Sequence, residues 1–111
     1  MTPLEKSLLE EACGGRDPQL LIRTRTRVDA GRWWRSTPLW LGIDGGDLFL
    51  LAVARRKYIE RVPLGDCHNS RYCHSSGQLM IAPTENLRIN HVALSPGEAI
   101  RVLDAMNASV L

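Results

Sequence analysis

No apolar run in this sequence approaches the ~20 residues that cross a membrane as a helix, so a transmembrane segment is not expected. The opening residues, Met1-Thr2-Pro3-Leu4-Glu5-Lys6, lack the charged-then-apolar layout of a secretion signal. Three cysteines cannot all pair within one chain, which argues against a disulfide framework and for a reducing compartment. These absences read as a cytoplasmic protein, whole or as a domain of a larger parent. Internal repeats and low-complexity segments are missing too. Gly14-Gly15 and Gly45-Gly46 are too short to cradle phosphates as a P-loop does. No nucleophile, base and acid stand together, so neither catalysis nor a cofactor is expected.

What remains is a chain of 111 residues with 44% apolar content. One domain of that length buries about two-thirds of its unfolded surface without metals or disulfides. The net charge of +2 is small but uneven. Residues 16–61 carry ten Lys/Arg against five Asp/Glu, a local +5, and the remainder carries four against seven, a local −3. One part of the surface is therefore expected to be basic and to attract an anionic partner, with a plain solvated face as the alternative.

Thr2-Pro3-Leu4-Glu5 is a capping-box pattern with proline in the first turn. It predicts a helix over 3–13, ended by Gly14-Gly15, with Leu4, Leu8 and Ala12 in a narrow apolar stripe beside Leu9 and Cys13. That stripe is expected to pack on the outside of the domain or to dock on a partner. From Leu20 the period changes to two. Ile22, Thr24, Thr26 and Val28 alternate with Arg23, Arg25 and Arg27, predicting a strand with one inner and one cationic face. Trp33 to Ile43 reads as a second strand, with Pro38 marking a bend, bulge or edge. Asp44-Gly45-Gly46-Asp47 is a hairpin signal. Leu48 to Ala54, apolar almost throughout, reads as the most buried strand. Further strands are expected at Tyr58–Val62, Cys67–His74, Gln78–Ala82 and Asn86–Val92. A second capping box, Ser95-Pro96-Gly97-Glu98, starts a final helix over 96–107, whose buried face is read as Ala99, Ile100, Leu103 and Met106, with Val102 at its margin. The fold class is thus mainly β with two helices, an antiparallel barrel or sandwich of about seven strands over 20–92.

With this order, and with the segments Trp33–Leu41, Ile43–Leu48 and Tyr58–Leu64 and the capped last helix, the chain resembles the bacterial branch of the pleckstrin-homology-like (PH-like) superfamily. The resemblance covers residues 20–107. It implies a split barrel of four- and three-stranded antiparallel sheets, with the final helix as a plug at one end. The best-known family activity, phosphoinositide binding, would fall on Arg23, Arg25, Arg27, Arg32 and Arg35. The loop Asp29-Ala30-Gly31 is too short to wrap a head group, however, and Asp29 opposes phosphate. Bacterial members resemble protein-interaction or self-assembly modules more than lipid readers.

Two clusters bear on chemistry. Three guanidinium groups on one strand face repel one another unless acids or a bound anion lie nearby. Arg23, Arg25 and Arg27 are thus paired with carboxylates of an adjacent strand, or else form a face for an anion, a nucleic acid or an acidic peptide. Trp33 and Trp34 point to opposite faces of their strand, as core plus lid or as a stacking surface; Trp40 shares a face with Trp34 if no bulge intervenes. Cys67-His68 and Cys73-His74 carry the ligand types that zinc prefers. In a continuous strand, though, Cys67 and Cys73 would sit about 20 Å apart at ~3.3 Å per residue. Ordinary strand residues are the expectation there, with a metal site as the weaker alternative. His91 is expected at the surface or an edge. The sequence thus points to a non-enzymatic interaction module that contacts a protein partner or itself. The alternative is anion, anionic-lipid or nucleic-acid binding through the arginine face.

Overall fold

The computed structural model describes residues 2–29, 36–53, 57–83, 85 and 87–110. It is mostly β, with seven antiparallel strands in two sheets and a helix near each end; no closed barrel is found among the described residues. No helix is long and apolar enough to cross a membrane. Residue contacts divide the chain into two compact units, residues 1–61 and 62–111.

The first unit begins with helix α1 (Pro3–Cys13). The expected capping box is present: Thr2 Oγ1 accepts from the Glu5 amide at 3.2 Å, and Glu5 Oε1 accepts from the Thr2 amide at 2.9 Å. Gly14, at φ 61°, closes the other end in the left-handed conformation that glycine adopts without penalty. The buried stripe is rotated from the expected one. Leu8 and Cys13 are buried and Leu9 and Ala12 partly so, but Leu4 is 62% exposed and Glu5 is buried in its place.

Four strands follow, β1 (Leu20–Asp29), β2 (Ser36–Asp44), β3 (Asp47–Val53) and β4 (Lys57–Pro63), hydrogen-bonded in that order. Asp44 pairs with Asp47 across Gly45 and Gly46, whose φ values of 59° and 84° make the tight hairpin turn that the sequence announced. β3 is buried on both faces, as its apolar run requires. Register places Leu21, Gly42 and Phe49 in one row across the sheet, and Arg23, Trp40 and Leu51 in the next. This is the face that α1 covers, with Leu8 and Cys13 packed among Phe49, Leu51, Leu21 and Trp40. The helix's apolar stripe is therefore occupied by its own unit. Gly42 is obligatory here: a Cβ would lie 2.1 Å from Cζ of the fully buried Phe49 ring, which fills the space above it.

The β1–β2 ladder is irregular. Arg23 opposes Trp40 and Arg27 opposes Pro38, so Thr24, Arg25 and Thr26 share the single residue Leu39. The bulge lies beside Pro38, where a missing amide hydrogen disfavours regular pairing. Thr24 is buried and ties it down, its hydroxyl donating to the Leu39 carbonyl at 2.7 Å. Because two extra residues are accommodated, the alternation survives: Ile22 and Thr24 are buried, and Arg23, Arg25 and Arg27 are all exposed.

The second unit contains a 3₁₀ turn (Leu64–Cys67), strands β5 (Arg71–Cys73), β6 (Gln78–Met80) and β7 (His91–Ala93), and helix α2 (Pro96–Val110). The expected strand from Cys67 to His74 is corrected to three residues. Pro63 and Gly65 lead the chain into a tight turn, in which the Cys67 thiol folds back on the Pro63 carbonyl at 3.6 Å and the Ser70 amide donates to the Cys67 carbonyl at 3.0 Å. The last strand is likewise shorter than Asn86–Val92. Tyr72, Leu79 and Val92 form one row across this sheet; Leu79 and Val92 are fully buried, and Tyr72 donates to the Leu94 carbonyl at 2.7 Å. α2 starts with its capping box in place: Ser95 Oγ accepts from the Glu98 amide at 3.3 Å, and Glu98 Oε1 from the Ser95 amide at 3.0 Å. It packs on the 3₁₀ turn and buries Ala99, Val102 and Met106. Ile100, expected on that face, is 57% exposed, because positions 99, 102 and 106 define a stripe that leaves it one step around the helix.

Candidate anion-binding surface on the first strand

Arg23 and Arg27, opposite Trp40 and Pro38, fall on the side of the sheet that carries α1, and Arg23, Arg25 and Arg27 are all exposed. Arg23 lines an open groove of about 360 Å³ with Thr2, Glu5, Thr37, Pro38, Trp40 and Val53. One wall of that groove is fixed by Glu5, whose Oε2 accepts a hydrogen bond from the Trp40 indole. Burial pushes the Glu5 carboxyl up, but hydrogen bonds from the Thr2 amide and the Trp40 indole outweigh this and hold its pKa below the ordinary value. Glu5 is thus a committed carboxylate, with both oxygens already accepting.

No acidic residue among the described ones lies within ion-pair distance of Arg23 or Arg25. Three of the first unit's other carboxylates are engaged elsewhere. Buried Asp44 pairs with Arg16 at 3.2 Å and with Arg61 at 4.0 Å, and Asp47 pairs with Arg61 Nε at 3.3 Å. Arg61 also donates to the Ala12 carbonyl near the end of α1 and sits 6.0 Å from the centre of the Phe49 ring. Glu11 pairs with Lys57 at 3.5 Å. The expected pairing of the arginine row with neighbouring acids is therefore absent for Arg23 and Arg25. Arg32, Trp33, Trp34 and Arg35 lie outside the described residues.

The Cys/His candidates do not come together. Cys67 is buried in the 3₁₀ turn, whereas Cys73 is exposed at the end of β5. His68 Nδ1 lies 3.2 Å from the Gly65 carbonyl, and the His74 ring stands edge-on to Tyr72 at 5.1 Å. No group of three or more metal-ligating side chains is found among the described residues. The two thiols differ chemically: burial, then nearby Asp66, pushes Cys67 up to about 11, while hydrogen bonding from Ser75 and Ser76 brings Cys73 down to about 6. His91 is exposed, as expected, with Nδ1 2.7 Å from Asn90 Oδ1.

Sequence reasoning found the arginine row through its period of two. It missed the Glu5–Trp40 bond and the Arg61 cluster, which join positions 35 and 49 residues apart and leave no local pattern. Compared with protein-family models, with curated proteins and with solved structures, the chain matches none.

Proposed function

We propose that this chain is a non-enzymatic, PH-like interaction module of the cytoplasm, and that the β1 arginine row is its contact surface for an acidic segment of a protein partner. The order of four strands, three strands and a terminal helix supports the PH-like reading. One observation carries the contact surface: Arg23 and Arg25 are exposed and in no ion pair among the described residues, whereas Asp44, Asp47 and Glu11 of the same unit are matched to Arg16, Arg61 and Lys57. Like charges two residues apart on one strand face raise the energy of the free protein, and an acidic partner relieves this.

Titration of the full chain with a polyglutamate peptide tests the reading. Binding is expected at low ionic strength, weakening steeply as salt rises, and the double variant Arg23→Glu/Arg25→Glu is expected to abolish it. A wild-type chain that ignores polyglutamate at low salt would overturn the proposal. Preference for anionic vesicles or single-stranded nucleic acid would transfer the surface to a different class of anion.

A further inference from the structure

β1 carries a second feature besides its arginines. It ends the four-stranded sheet: β2 is its one hydrogen-bonded neighbour, and no strand pairs with its other edge among the described residues. β1 is also ten residues long and extended from Leu20 to Asp29. An edge of that length presents backbone amides and carbonyls that another strand can satisfy.

Resting on the acidic-partner reading above, we infer that the partner binds by strand addition, as an extended segment with Asp or Glu at every second position. An added antiparallel strand places its side chains about 4.5–5.5 Å from the facing residues of β1. Those on the arginine side meet Arg23, Arg25 and Arg27. Those on the other side extend the row of Ile22 and Thr24, which is buried, so small or β-branched residues fit there. Charge complementarity also selects against the obvious competitor. A second copy pairing through its own β1, centred on Arg25, would set arginine against arginine across the new ladder. Edge arginines and a bulge are devices that deter indiscriminate strand pairing, and here they make the edge selective for acidic chains.

The experiment uses the full chain and ten-residue peptides of five glutamates and five threonines, either alternating or in two blocks. Two further alternating peptides are N-methylated at all glutamates or at all threonines. Only every second amide of an added antiparallel strand faces its neighbour, so one methylated series is expected to lose binding and the other to keep it. The alternating peptide is expected to bind about tenfold or more tighter than the blocked one, as the loss of even one or two strand hydrogen bonds would produce. Arg23→Glu/Arg25→Glu is expected to reverse the preference toward an alternating lysine–threonine peptide. Equal affinity for alternating and blocked peptides, or equal tolerance of both methylated series, overturns strand addition and leaves the acidic contact standing. Failure of every acidic peptide to bind at low salt removes the acidic contact itself.

Discussion

Two sets of arginines in the first unit meet opposite fates. At the hairpin end, Arg16 and Arg61 converge on Asp44 and Asp47, and Arg61 reaches on to the end of α1 and the Phe49 ring. Along β1, Arg23 and Arg25 meet no acid among the described residues. The first set is consumed by the fold: it fastens helix to hairpin across a buried carboxylate. The second set makes no such ion pairs, and its exposure along one strand is the reason to place recognition there. A charged residue's partner list, rather than its type, separates architecture from contact surface.

The sharpest way to break this contrast is to damage the hairpin side. Gly42→Ala drives a methyl into the Phe49 ring on which Arg61 leans, so unfolding titrations should show a loss of about 3 kcal/mol, the upper range for overpacking a tight core. A loss below about 0.5 kcal/mol, the level of a neutral surface change, would mean that the ring can move. Asp44→Ala should cost about 1–2 kcal/mol, because a buried acceptor shared by two arginines disappears while Arg16 stays largely solvated. Arg25→Ala, by contrast, should change stability by no more than about 0.5 kcal/mol while weakening acidic-peptide binding. A large stability loss in that variant would erase the distinction between the two sets.

Acid sharpens the comparison from another side. The folded Glu5 carboxyl has a pKa below its ordinary value of 4.5, so its stabilisation is fully present above that value and is lost as pH falls through the lower folded one. Wild type and Glu5→Gln should therefore differ most near neutrality and converge in strong acid; parallel stability curves down to the lowest pH would refute the role given to Glu5. The smallest effect concerns the thiols. Near pH 7 iodoacetamide should label Cys73 in the native protein and spare buried Cys67 until the chain unfolds, as peptide mapping would show.

Local chemistry explains which parts were legible in the sequence. Both capping boxes, the Gly45-Gly46 turn and the arginine alternation are written within a few residues, and all appear as expected. The Cys67–His74 stretch misled because its residues suit a strand, whereas the turn that replaces it depends on Pro63, Gly65 and burial of one thiol. Leu4 and Glu5 exchanged their expected roles because the Trp40 indole, distant in sequence, offers Glu5 a partner that no helical period reveals. The unmatched state of Arg23 and Arg25 was open for the same reason: it depends on where the acids of other elements are used.

The bulge between Arg23 and Arg27 has a consequence for how this protein tolerates changes in length. Three residues of β1 stand against Leu39, two more than regular pairing needs, and two is an even number. Removing any adjacent pair from Thr24–Thr26 would restore a regular ladder with the remaining arginines still facing outward. Removing one residue would turn every side chain on one side of the cut to the opposite face, carrying arginine into the core or Ile22 out of it. Lineages descended from this sequence should therefore gain and lose residues here in twos, a parity rule set by the pleat of a single strand.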